Sequence, residues 1–397
     1  MNICIFAKGL PVHITGGMEI HVQSLVDGLI KRQHKVTVIT TRHPLGIKKE
    51  EKGNLKIYYV GDKSLKCTAR FYEESLELFE KLNYEERFDI VHSQSTSGYG
   101  FARFCHNEIP FIVTFQGTTL NEIISAINTK SIKGFIIALY IFYNDFLINH
   151  NKDDKITSKR ASKIIAVSNE LKEDLKKQYN IPEEKFILIQ NGIDVDTFRP
   201  DLEVSGLKEK YQLQNKKIIL SIGVMTGQKG HDLLIRVMPE LLKEDREIKL
   251  VLVGYGPAME NLKKMAQELK VSDHVVFTGK VSHEELKFYY NIADVFAFPT
   301  LRVEAGPLVI PEAMACERPV IASRIGGIPT VIENYIDGIL IQPGNLRELK
   351  EKILEVLKNE ELGAKLGKNA RRKIMERYSV DRMVDDTIKV YEKALGK

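Results

Sequence analysis

Short β-branched runs alternate along this chain with longer stretches of 3.6-residue periodicity, which restricts the fold to parallel sheets wrapped by helices. Predicted strands in the first half are Asn2–Ala7, Lys35–Thr41, Leu55–Val60, Asp89–Ser93, Phe111–Phe115, Lys163–Val167 and Phe186–Gln190. Between the first two, Val22, Leu25, Val26, Leu29 and Ile30 line one helical face. A turn-rich stretch from Asn191-Gly192-Ile193-Asp194 to Arg199-Pro200 breaks the pattern. It resumes at Lys217–Gly223, Lys249–Gly254, Val275–Gly279, Val295–Pro299, Pro319–Ser323 and Gly338–Ile341.

A chain of 397 residues exceeds what one core fills at roughly 150 residues per domain. The expectation is two Rossmann-like α/β domains, residues 1–200 and 201–378, followed by a helix over 379–397 that returns to the first domain. Open parallel sheets bind ligands beyond the carboxyl ends of their strands, so two such domains facing each other would form one cleft.

Composition excludes several classes. Lys and Arg number 58 against 53 Asp and Glu, a surplus of five that is no nucleic-acid footprint. Cys4, Cys67, Cys105 and Cys316 are dispersed, with neither CxxC spacing nor a nearby paired His, so no metal site and no disulfide framework is expected. The opening residues read as a buried strand rather than a signal peptide, and a reducing cytoplasm fits best. The most apolar later stretch, residues 134–148, includes Asn144 and Asp145 and is shorter than the ~20 residues of a bilayer span. The overlapping segment 132–148 is the candidate peripheral membrane contact. Being apolar all round, it is expected instead to pack inside its domain, because interfacial helices show a polar face.

Four loops after strands carry chemistry. Gly16-Gly17-Met18-Glu19 opens a helix, where free backbone N–H groups and the positive helix end favour phosphate. Gln228-Lys229-Gly230 places an ammonium just before another helix, where it can neutralise a diphosphate. In the third loop a helix starting near Leu308 leaves Glu304 outside and Glu312 about one turn inside, so the two carboxylates can hold separate hydroxyl groups. Gln116, where the Phe111–Phe115 strand ends, can donate and accept but not titrate.

These loops, in this order and over nearly the whole chain, resemble the retaining GT-B glycosyltransferases of glycosyltransferase family 4. The resemblance rests on Glu304 and Glu312 in E-x7-E spacing before Ala313-Met314-Ala315-Cys316, then Pro319-Val320-Ile321-Ala322-Ser323 and Gly326-Gly327. Gly16-Gly17-Met18-Glu19, Asn191-Gly192-Ile193-Asp194, Gln228-Lys229-Gly230 and Val253-Gly254-Tyr255-Gly256-Pro257 also match.

The resemblance implies a GT-B fold and a hexosyltransferase that takes a UDP- or GDP-linked sugar as co-substrate, without metal or other cofactor. Its acceptor would be a glycan, a lipid-linked sugar or a small polar molecule. By the same resemblance Lys229 holds the diphosphate, Glu304 the donor-sugar hydroxyls, Glu312 the ribose and the loop at Val281 the base. Gly306, Leu308 and Val309 complete the donor site, Gly16 and Gly17 approach the phosphates from the other domain, and Gln116 and Glu19 contact acceptor or sugar. Retention would follow front-face attack, with a leaving phosphate oxygen taking the acceptor proton.

The chain departs from the family pattern in three places. Val224 stands where an arginine is usual, removing one diphosphate cation, for which Arg302 or Lys280 is the substitute. Gln116 replaces a histidine, and Pro307 supplies no N–H where the family has Phe-Gly. Two other readings remain: a noncatalytic sugar- or nucleotide-binding scaffold, and an NAD-dependent oxidoreductase suggested by the Gly254-Tyr255-Gly256 turn after a strand. Met259 occupies that motif's third glycine, and no acidic residue ends the following strand.

Overall fold

A computed structural model describes residues 1–14, 16–62, 67–129, 132–143 and 150–397. The chain divides into two compact units. The first comprises Met1–Leu120, Tyr140–Gly192 and Val380–Lys397; the second comprises Asn121–Leu139 and Ile193–Ser379.

The first unit is built on eight strands: β1 (Asn2–Ala7), β2 (Lys35–Thr41), β3 (Lys49–Lys52), β4 (Leu55–Val60), β5 (Ile90–Gln94), β6 (Phe111–Phe115), β7 (Lys163–Ala166) and β8 (Phe186–Leu188). Their order across the sheet is β3-β4-β2-β1-β5-β6-β7-β8, parallel except where β3 pairs antiparallel with β4. Strand order, not strand direction, reverses between the parallel neighbours β1 and β5, so the crevice at their carboxyl ends is the switch point of a doubly wound sheet. Strands buried on both faces need continuous apolar runs, which β1 and β6 supply. The short edge strand β3, Lys-Glu-Glu-Lys, is exposed along its length and was not expected from sequence.

The C-terminal helix Val380–Ala394 belongs to this first unit. Met383, Val384, Val390 and Tyr391 join the core formed by Ile3, Ile5, Val22 and Leu25. Its Tyr391 hydroxyl lies 2.6 Å from Nδ1 of His92, whose Nε2 is 2.8 Å from the Thr114 hydroxyl. Burial pushes the His92 pKa down to about 3, with nearby His21 adding to the effect. The ring is therefore a neutral bridge between strand and helix.

The second unit carries β9 (Lys217–Ile222), β10 (Ile248–Val253), β11 (Val275–Gly279), β12 (Val295–Phe298), β13 (Val320–Ser323) and β14 (Ile339–Ile341). Their order is β11-β10-β9-β12-β13-β14, all pairs parallel, with the switch between β9 and β12. The helices His231–Glu244, Met259–Glu268 and Leu346–Lys358 bury Leu234, Met238, Leu262 and Ile353 against the sheet.

Two further features differ from the sequence expectations. Residues 121–139 cluster with the second unit although they follow β6, because their contacts are with the loop after β12. The apolar run expected to pack inside its domain is largely exposed: in the helix Ile132–Ile141, Phe135, Ile136, Leu139 and Tyr140 each expose more than half of their surface. Apolarity around a helix thus did not translate into burial here: among the described side chains of residues 135–140, Ala138 alone is enclosed. The end of that run, residues 144–149, lies outside the described residues. No helix among the described residues is long and apolar enough to cross a membrane.

Candidate active site

In the second unit the loops after β9 and β12 flank the sheet's switch point and converge. Gly230 caps the helix His231–Glu244, and Lys229 precedes it. The Gln228 carbonyl accepts hydrogen bonds from the N–H groups of Leu301 (2.8 Å) and Arg302 (3.2 Å), joining the two loops through backbone. Across this join Lys229 Nζ lies 2.6 Å from Glu304 Oε1. The lysine is one-fifth exposed and the glutamate about one-tenth, so both are partly desolvated and their attraction exceeds that of a surface pair.

Neighbouring groups fix the pair. The Thr300 hydroxyl lies 3.3 Å from Glu304 Oε1 and 3.1 Å from the Gln228 carbonyl. The Lys229 ammonium stands 5.4 Å from the Phe298 ring centroid, within cation–π range. His231, fully buried just after the lysine, has its pKa pushed down to about 4 by burial and then by the Lys229 charge. It adds no positive charge beside Lys229 at neutral pH.

Glu312 sits in the first turn of the helix Val309–Ala315 and is almost wholly buried. Its two oxygens are held separately: Oε1 lies 2.7 Å from His283 Nε2, and Oε2 accepts from the Tyr290 hydroxyl at 2.7 Å. Burial opposes charge on His283, but its hydrogen bond to Glu312 and the charges of Glu312 and Glu284 outweigh it, so the pKa lies above the ordinary histidine value. Each carboxylate oxygen has a second lone pair, which leaves capacity for a ligand hydroxyl.

His283 and Tyr290 escaped sequence reasoning. Neither spacing nor composition marks a residue 22 or 29 positions upstream as a carboxylate's partner. Val281 is half-buried two residues before His283, and Lys280 is exposed. Leu308 is buried, while Gly306 and Val309 are half-buried. Arg302 does not stand free as a phosphate cation: its guanidinium pairs with Glu122, and its Nε lies 3.8 Å from Glu304 Oε2.

In the first unit Gly16 and Gly17 open the helix Gly17–Lys31, and Glu19 is buried beside that turn. Gln116 exchanges two 3.0 Å hydrogen bonds with Asn191, amide to amide. The glycines of the dinucleotide-like turn after β10 have a packing explanation. A Cβ on Gly254 would collide with the Gly223 carbonyl, and one on Gly256 would lie 2.5 Å from the Met225 carbonyl oxygen. They let two backbone turns touch, and this removes the main support for a nicotinamide site.

Two doubly wound α/β units, the second with a lysine–glutamate pair at its switch point, place the chain among folds that bind ligands beyond the carboxyl ends of their strands. Comparison narrows the class. Residues 206–373 match the family described as "Glycosyl transferases group 1", and residues 15–197 match "Glycosyltransferase Family 4". The chain is 30% identical to an uncharacterized glycosyltransferase of Methanocaldococcus jannaschii, covering 100% of this chain and 99% of that protein. It is 34% identical to the GDP-mannose-dependent α-(1-6)-phosphatidylinositol monomannoside mannosyltransferase of Mycolicibacterium smegmatis, over 44% of this chain and 48% of that one. Among solved structures, sucrose-phosphate synthase from Thermosynechococcus elongatus superposes with a TM-score of 0.80 at 21% identity, covering 99% and 98% of the two chains. The chain belongs to the GT-B glycosyltransferases.

Proposed function

We propose that the protein is a retaining hexosyltransferase that moves a sugar from a UDP- or GDP-linked donor to a hydroxyl of a lipid-linked or glycan acceptor at the cytoplasmic membrane face. The observation that carries this reading is the 2.6 Å Lys229–Glu304 pair at the switch point, with Glu312 on the helix that follows. Lys229 offers its charge to the donor diphosphate, Glu304 a carboxylate to the sugar hydroxyls, and Glu312 a lone pair to the ribose.

The chemistry then needs no protein nucleophile. The acceptor oxygen forms a bond to the anomeric carbon as the carbon–phosphate-oxygen bond breaks, on the same face. The acceptor proton passes to the departing phosphate oxygen, and a nucleoside diphosphate leaves. Protein charges act on the negative charge developing on that diphosphate, without a metal in this reading.

A nucleotide panel read by ligand-observed NMR tests the proposal. UDP- or GDP-sugars should give binding and NAD none. A wild-type protein that binds such donors yet turns none over would favour the noncatalytic scaffold.

The mannosyltransferase relative is named for a phosphatidylinositol-linked acceptor, which supports a lipid acceptor here. The exposed side chains of Phe135, Ile136, Leu139 and Tyr140 give the chain an apolar surface suited to the edge of a bilayer. In flotation with anionic liposomes the wild type should rise with the lipid, and a Phe135→Ser/Tyr140→Ser variant should stay in the dense fraction. Wild-type protein remaining in the dense fraction would count against the membrane contact.

A further inference from the structure

The helix Thr119–Asn128 places Glu122, Ser125 and Asn128 three residues apart on one face. Each meets a different residue of the loop just before Glu304. Asn128 Nδ2 donates to the Leu301 carbonyl at 3.1 Å, the Arg302 guanidinium pairs with the Glu122 carboxylate, and the Val303 N–H donates to Ser125 Oγ at 2.9 Å. Ser125 is fully buried, and its own proton is committed to the Asn121 carbonyl, so its oxygen is aimed as an acceptor at Val303. On the other side of the same peptide, Leu301 N–H and Arg302 N–H are held by the Gln228 carbonyl beside Lys229. Three consecutive residues are thus gripped between the lysine loop and this helix.

We propose that Glu122, Ser125 and Asn128 are positioning residues for the donor site: the helix sets where the Glu304 carboxylate and the Arg302 cation stand. The proposal rests on reading Lys229 and Glu304 as donor contacts. The ion pair contributes little stability, since both partners are over one-third exposed, Arg302 at 34% and Glu122 at 43%. Its effect is to hold Arg302 beside Glu304 with its charge balanced. The buried hydrogen bond carries the precision, because Val303 is covalently next to Glu304 and a shift of one is a shift of the other. Misplacement of a binding group by about an ångström is enough to cost roughly 100-fold in rate.

Ser125→Ala removes the acceptor, Ser125→Thr keeps the hydroxyl, and Asn128→Asp keeps the shape but loses the donor. Two measurements read the result: amide hydrogen exchange over residues 299–308, and the ratio of dissociation constants for the nucleotide sugar and its nucleoside diphosphate. UDP-glucose with UDP and GDP-mannose with GDP are the probe pairs.

Ser125→Ala and Asn128→Asp should speed exchange in this segment by about tenfold or more. Affinity for the nucleotide sugar should fall roughly 10-fold, and that for the diphosphate by less than about threefold, because Glu304 faces the sugar and Lys229 the phosphates. Ser125→Thr should restore both readouts relative to Ser125→Ala, with its buried extra methyl lowering the thermal midpoint. Unchanged exchange in Ser125→Ala overturns the grip. Faster exchange with an unchanged affinity ratio overturns the positioning role, and so does a threonine variant as impaired as alanine. Failure of the donor-site reading shows itself separately, as a Glu304→Gln protein with wild-type affinity for both nucleotide sugars, while exchange still reports on the grip.

Discussion

Lys229→Ala and Glu304→Gln are each expected to lower kcat/KM for sugar transfer by at least about 100- to 1,000-fold, the usual cost of removing one preorganised charge from a reacting centre. The two losses arise differently. Lys229→Ala removes the positive charge offered to the departing diphosphate, so binding of the nucleoside diphosphate alone should weaken with turnover. Glu304→Gln keeps the size and a hydrogen-bonding group but loses the charge, so nucleotide binding should survive while nucleotide-sugar turnover does not. Because Nζ and Oε1 lie 2.6 Å apart, the side chains cannot act independently. Truncating either leaves the other without its counter-charge, and the double variant should lose much less than the product of the single losses. Steady-state kinetics with calorimetry on the four proteins of this cycle supply the check. A single variant keeping more than about a tenth of wild-type kcat/KM would remove the pair from the mechanism.

How much of this was legible in the sequence follows from the range of the interactions. Strands β1, β2 and β6 coincide with their predicted spans because a parallel strand covered on both faces must be a nearly continuous apolar or β-branched run. Lys49–Lys52 escaped because an exposed edge strand is specified by backbone pairing with β4, which its charged side chains do not advertise. The site divides the same way. Lys229, Glu304 and Glu312 lie next to strand ends and helix starts, where local pattern reveals them. The partners that aim them do not: Glu122 and Ser125 stand 180 and 178 residues from Arg302 and Val303, and only the fold brings them together. The run over residues 132–143 misled for a related reason. Its composition reports apolarity, and burial depends on what neighbouring elements cover.

Adding one methyl group at Gly230 is expected to damage both stability and catalysis, and adding one at Gly227 to do neither. Gly230 has φ of 74°, in the left-handed region where a side chain costs about 1–2 kcal/mol. A Cβ there would also fall inside the van der Waals shell of the Pro299 carbonyl oxygen. A flexible side chain could swing aside, but this neighbour is backbone at the end of β12, held by the sheet. The total cost of Gly230→Ala should therefore reach about 3 kcal/mol or more, lowering the midpoint of thermal unfolding by roughly 6–12 °C for a unit of this size. Relief could come only by parting the loop of Lys229 from the loop of Glu304, which stretches the hydrogen bonds that Leu301 and Arg302 donate to Gln228. Turnover measured well below the new midpoint should still be depressed at least tenfold, beyond what partial unfolding explains. Gly227, three residues earlier in the same loop, has nothing within 4 Å of an added Cβ and needs no positive φ, so Gly227→Ala should stay within about 0.5 kcal/mol of wild type. Equal behaviour of the two variants, in calorimetry or in turnover, would mean that the joined backbone of these loops does not set the distance between the lysine and the glutamate.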